Sequence, residues 1–162
     1  METYDVLDVA HYIIAYSNEK NYGISNLKLQ KLLYFVQAHF LLNHPKHKPC
    51  FNEPIEAWDI GPVVAIVYLR YKQCGSCDIP TPSYYLEFKN DNIWSVEKHY
   101  YDDSVISPID KKHINQIVDR VKDYAAVDLT EIAQSQTPWR AALETESRII
   151  TNQAILDYFN SL

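Results

Sequence analysis

The chain has 162 residues, 47% of them hydrophobic and 22% charged, the composition of a globular protein able to bury a core without disulfide or metal staples. Its formal net charge of −6 is uneven: residues 1–49 carry five Lys/Arg against four Asp/Glu, and residues 50–162 carry ten against 17. An acidic body excludes an extended phosphate-tracking surface, which needs clustered lysine and arginine, so nucleic acid is not an expected partner.

Other global features point the same way. Three cysteines give no disulfide framework, as suits a reducing compartment. Met1 to Asp5 lacks a positively charged leader pattern, and no apolar run reaches the roughly 18–20 residues of a membrane span. A cytoplasmic protein without membrane contact is the expectation. Thirteen tyrosines are many for this length; each combines an apolar ring with a hydroxyl and suits either a half-buried shell or a wet protein interface.

In chain order, residues 5–17 read as a first helix, with Val6, Val9, Ala10, Ile13 and Ser17 at 3, 4 spacing. Asn18 to Gly23 is a polar turn. The second helix, 26–42, is the strongest element. Ser25 is a good N-cap, and Ile24 with Leu29 fits a hydrophobic staple. Leu29, Leu32, Leu33, Val36 and Phe40 share its core face. Residues 43–54 are a loop. Ile55 to Ile60 alternates as a short extended segment. Gly61-Pro62 then predicts a break followed at once by a third helix, because proline suits the first helical position. Gly75 ends that helix.

Tyr84–Phe88 and Ile93–Glu97, separated by Lys89-Asn90-Asp91-Asn92, predict a hairpin. Ser107-Pro108-Ile109-Asp110 opens a fourth helix, Asp128 to Glu131 a short fifth, Thr137-Pro138-Trp139 a sixth and Thr151-Asn152 a seventh. The expected fold is mainly α (α+β): residues 1–162 as a single compact helical domain of six to seven helices with a small β-hairpin.

Several side chains are candidates for chemistry. Glu53, Glu56 and Asp59 form a small acidic cluster. A hydrolase would need two such carboxylates converging on one substrate atom; the structural alternative ties Glu56 or Asp59 to Lys28 or Lys31. Gln30, Tyr34 and Gln37 mark a polar stripe on the second helix, suited to a partner or simply to solvent. Trp58 and Trp139 sit at segment boundaries, where a large ring locks two elements together. Cys74 and Cys77 form a C-x-x-C, and His44, His47 and Cys50 add soft ligands. The pattern is not a standard zinc knuckle, so no metal and no cofactor is expected. Neither a nucleophile–base arrangement nor a phosphate-binding loop is evident.

Two motifs carry a family resemblance. Asn26-Leu27-Lys28-Leu29-Gln30-Lys31-Leu32-Leu33-Tyr34 and Pro54-Ile55-Glu56-Ala57-Trp58 with Gly61-Pro62-Val63-Val64 resemble the Panacea domain. That family takes in phage-associated GepA-like proteins and SocA-like antitoxins. Val67-Tyr68, Tyr71-Lys72, Pro138-Trp139-Arg140-Ala141-Ala142 and Ile155 to Phe159 continue the likeness in order. Leu29, Leu33, Trp58, Gly61, Pro62, Pro138 and Trp139 are its structural positions. Members often carry a histidine just before Pro-Trp, where this chain has Gln134-Ser135-Gln136-Thr137.

The resemblance implies a non-enzymatic antitoxin that binds a co-encoded toxin directly. The partner-binding candidates are Lys28, Lys31 and Tyr34 on the exposed side of the second helix, Glu56, and Tyr84, Tyr85 and Trp94 in the hairpin, which looks like an enlargement of a variable region. The alternatives are a phage-encoded acidic anti-defence protein that blocks a nucleic-acid-binding host protein, and a hydrolase using Glu53/Glu56. Oligomeric state is left open.

Overall fold

The computed structural model describes residues 2–89 and 94–162. Seven α-helices form the body: α1 (Val6–Glu19), α2 (Asn26–Asn43), α3 (Ala65–Tyr71), α4 (Pro108–Arg120), α5 (Ala126–Gln134), α6 (Thr137–Leu143) and α7 (Asn152–Asn160). Among the described residues five short strands accompany them: β1 (Ile55–Trp58), β2 (Gly61–Val63), β3 (Tyr84–Phe88), β4 (Val96–Tyr100) and β5 (Ile149–Ile150). The first, second and fifth make an antiparallel sheet in the order β2-β1-β5, and β3 and β4 form a separate antiparallel pair. The chain is mainly helical with a small β component. None of its helices among the described residues is long and apolar enough to cross a membrane.

The caps behave as local chemistry dictates. Asp5, Ser25, Ser107 and Thr151 each accept a backbone N–H of the first turn of α1, α2, α4 and α7, satisfying donors that the helix leaves unpaired. Pro108 and Pro138 occupy first-turn positions where their missing N–H costs nothing. The fifth helix begins earlier than Asp128, because the Asp128 carboxylate reaches back to accept the Ala125 N–H at 3.0 Å.

The stretch after Trp58 departs from the sequence expectation. Gly61-Pro62-Val63 is a strand, not the start of a helix, and α3 begins only at Ala65. Asp59 and Ile60 turn the chain tightly, and Trp58 pairs with Gly61, Ala57 with Pro62 and Glu56 with Val63. Gly61 makes this possible at φ +96, a region closed to most side chains. Pro62 is tolerated because β2 lies at the sheet edge, where no ladder N–H is required of it. The strand β5 was not foreseen; its two residues pair with Ile55 and Glu56. In the hairpin, β4 covers 96–100 where the sequence suggests 93–97, and residues 90–93 lie outside the described residues.

Helix α2 is the axis of the core. It packs against α1, α3, α4, α5, α7 and β2, so it is buried on nearly every side. Leu29, Leu32, Leu33, Val36, Phe40 and Leu41 supply its apolar burial. Its polar residues are buried too: Asn26, Gln30, Lys31, Tyr34 and Gln37. A buried polar group is costly unless paired, and these are paired mostly with backbone. Gln37 accepts from Cys50 N at 2.8 Å and Phe51 N at 3.3 Å, and donates to Phe51 O at 2.8 Å. Gln30 accepts from Val64 N at 3.0 Å, and Asn26 donates to Tyr68 O at 3.0 Å. The two glutamines and the asparagine thereby hold the segment 50–51 and the start of α3, from Val64 to Tyr68, against the helix.

Candidate partner-binding surface

The burial of α2 corrects the placement of two candidates. Lys31 is fully buried, and its ammonium donates to Pro62 O at 2.8 Å. Gly61 covers it so closely that a Cβ there would sit 3.1 Å from Lys31 Nζ. With no carboxylate beside it, desolvation alone pushes Lys31 down to about 7. Tyr34 is likewise fully buried and donates to Gln136 Oε1 at 2.7 Å; burial drives its phenol well above the usual tyrosine value. Gln136 belongs to the segment that departs from the family pattern. Neither Lys31 nor Tyr34 is on an exposed side of the helix. Lys28 is half-buried, its Nζ 3.3 Å from Lys122 O, and desolvation lowers its pKa. Phe35, His39 and Leu42 of α2 are half-buried and reach solvent further along the helix. They line an apolar groove of about 330 Å³ with Ile117, Tyr124 and Phe159.

The acidic cluster is divided between two cavities, with Glu56 and Asp59 in one and Glu53 in the other. Glu56 lines an open cleft of about 620 Å³ with Trp58, Asp59, Tyr68, Glu146 and Arg148. Its carboxylate is tied to the cleft wall by Trp58 Nε1 at 3.3 Å. Glu53 lines a different cavity of about 170 Å³, where its Oε1 accepts Val6 N at 3.3 Å. The expected salt bridges from Glu56 or Asp59 to Lys28 or Lys31 are not found among the described residues. Trp58 and Trp139 act as locks: Trp139 Nε1 donates to Trp58 O at 2.9 Å, joining α6 to β1, and the Trp58 ring meets Tyr68 edge-on at 5.1 Å.

The soft ligands noted in the sequence are dispersed. Cys50 is buried, Cys74 half-buried and Cys77 exposed. His47 is occupied with Leu41 O at 2.8 Å. Of that set only His44 has possible co-ligands: among the described residues, the one group able to share an ion is His44, Asp110 and His113.

The hairpin is where exposed apolar surface concentrates. Its register sets Tyr84 opposite Tyr100, Leu86 opposite Lys98 and Phe88 opposite Val96. Side chains alternate along a strand, so these six share one face, and that face is turned to solvent. Phe88 is 61% exposed and Tyr100 63%, with Leu86 and Val96 also exposed. Lys98 Nζ lies 4.5 Å above the Tyr84 ring. Trp94, 87% exposed, follows at the tip side of the same pair. The other face carries His99, which stays exposed, and Tyr85, which packs inward: the Tyr85 ring is 5.3 Å from Tyr101 and 5.0 Å from the Arg70 guanidinium of α3. Desolvation, reinforced by Asp5 and Glu87, pushes Tyr85 up to about 12. Tyr84 and Trp94 are therefore surface groups, whereas Tyr85 anchors the hairpin to the body. Leu86, Phe88, Val96 and Tyr100 were missed in the sequence, since their common face depends on a register that shifts β4 by three residues.

A mainly helical body thus carries a two-stranded ribbon with an exposed aromatic and aliphatic face. The chain belongs to the antitoxin SocA-like, Panacea domain family, whose model matches residues 29–140. Over 74 residues it is 38% identical to Antitoxin SocA of Caulobacter vibrioides (strain NA1000 / CB15N). That match covers 46% of this chain and 38% of the relative, so the chain spans well under half of that protein's length. No solved structure matches it.

Proposed function

We propose that this protein is an antitoxin that neutralises a co-encoded toxin by direct, stoichiometric binding, with the solvent face of the β3–β4 hairpin as its principal contact. One observation carries the reading: Tyr84, Leu86, Phe88, Val96 and Tyr100 form one exposed aromatic and aliphatic face on an isolated two-stranded ribbon. Among the described residues no second layer covers this face, and a contiguous apolar patch of this kind marks a protein interaction surface. Both strands also present free outer edges, which a partner strand can extend. An interface of ordinary size would bury roughly 1,200–2,000 Å². Family membership supplies the functional class, and the acidic balance of the body favours a protein partner over nucleic acid. Lys28 remains a peripheral contact candidate, and Glu56 lies in a cleft on the β1–β2 side. No enzymatic step is assigned.

The test is co-expression with the product of the adjacent open reading frame, read by affinity capture and by growth. Wild type should form a one-to-one complex and restore growth. Leu86→Glu with Phe88→Glu should abolish both while leaving the melting temperature unchanged, because both side chains are already exposed. Growth rescue without a complex, or full rescue by the double variant, refutes the reading.

A further inference from the structure

We propose a divalent metal site of the zinc class at the junction of α2 and α4, formed by His44, Asp110 and His113. The donor atoms of these three side chains lie within 4.8 Å of one another. Around a tetrahedral zinc, nitrogen and oxygen ligands stand about 3.3 Å apart, so modest side-chain rotation closes the cluster. One pair is already there, His44 Nε2 being 2.9 Å from Asp110 Oδ1. Yet His44 Nε2 is buried and makes no aligned hydrogen bond with that carboxylate or any other group. Such a contact, an ion pair when His44 is protonated, can instead have the two groups share one cation.

The surroundings prepare the three groups as ligands. Asp110 is 6% exposed, and its other oxygen, Oδ2, accepts the Tyr4 hydroxyl. Tyr4 is itself held by its N–H to Cys50 O at 2.9 Å. His39 Nε2 lies 2.8 Å from His113 Nδ1 and orients that ring. The Phe40 ring stacks on His44 at 4.7 Å and closes the apolar side. Outer hydrogen bonds of this kind fix ligand orientation and raise metal affinity, and a dry wall strengthens every charge interaction inside.

Two imidazoles and a carboxylate favour zinc or its borderline neighbours over magnesium or calcium, which prefer all-oxygen shells. Metal binding by imidazole and carboxylate takes the neutral ring and the ionised carboxyl. Three protein ligands leave a fourth position for water. The ion would tie the N-terminal segment, the end of α2 and the start of α4 together. The site lies apart from the hairpin and does not rest on the antitoxin reading.

The experiment is titration of the metal-stripped full chain with zinc and with cobalt. One equivalent of zinc should bind and raise the melting temperature. Cobalt should give visible bands of a tetrahedral site without thiolate charge-transfer absorption. His44→Ala and His113→Ala should each lose stoichiometric binding, and His39→Ala should weaken it about 10–100-fold. Cys74→Ser, Cys77→Ser and His47→Ala should leave binding unchanged. Failure of the wild-type chain to bind one equivalent overturns the proposal even if a variant does not fold. So does thiolate absorption with cobalt, loss of binding in the cysteine variants, or retention of it in folded His44→Ala.

Discussion

Replacing Lys31 with methionine is expected to stabilise the protein below neutral pH and to lose that effect in alkali. The lysine is fully buried, and burial lowers its ammonium from 10.5 to about 7. Between those two values the unfolded chain holds a proton that the folded chain has released, so stability rises with pH across that window. Below about 7 both states are protonated, and the folded state bears the whole desolvation cost. The interval corresponds to roughly 5 kcal/mol. Methionine has a comparable shape and removes that cost. It also leaves the Pro62 carbonyl, now 2.8 Å from Nζ, without its donor, a loss of about 1–3 kcal/mol. The net expectation at pH 6 is stabilisation by about 2–4 kcal/mol, shrinking by about 2–3 kcal/mol at pH 9 as the wild-type penalty fades. Urea unfolding of both proteins at the two pH values, at matched ionic strength, measures the difference, and titrations common to both chains cancel. A difference that does not change with pH, or a methionine variant that is less stable at pH 6, refutes the reasoning.

Three further outcomes are expected. Gly61→Ala should cost about 1–3 kcal/mol, because φ is +96 and the new methyl group would press on Lys31 Nζ at 3.1 Å; pairing it with Lys31→Met should recover part of the loss in thermal unfolding. Gln37→Leu should cost about 3–4 kcal/mol, since it strips partners from Cys50 N, Phe51 N and Phe51 O together; denaturant midpoints at unchanged slope would show it. Glu56→Gln should leave growth rescue intact, as its carboxylate serves Trp58 Nε1; any substrate turnover that vanished in this variant at unchanged melting temperature would restore a hydrolase.

The hairpin and the polar seam show where local pattern stopped being informative. Alternation identified Tyr84–Phe88 as a strand, because side-chain direction along one strand is a property of the chain itself. Which face met solvent depended on pairing Tyr84 with Tyr100, and pairing is chosen by a second segment. Gln30, Tyr34 and Gln37 read as a polar stripe for a partner or for solvent, and Lys31 as exposed beside the core face, for a similar reason: helical periodicity reports which residues share a face, not how many faces are covered. On α2 the sheet edge, α5 and α7 close over the polar side as well, and the cost is met by hydrogen bonds to distant backbone.

Taken by itself, the sequence determined the helical class, the capped starts of α2 and α4, the start of α7, the core line from Leu29 to Phe40, and the family resemblance. These depend on contacts within a few residues or on an apolar stripe that must be buried somewhere. Tertiary structure alone decided that Gly61-Pro62 is a strand, since that outcome rests on the β1 ladder. It also decided that His44 meets Asp110 and His113 rather than the cysteines. Side chains more than 60 positions apart are brought together only when α4 packs along α2, and no local spacing encodes that meeting.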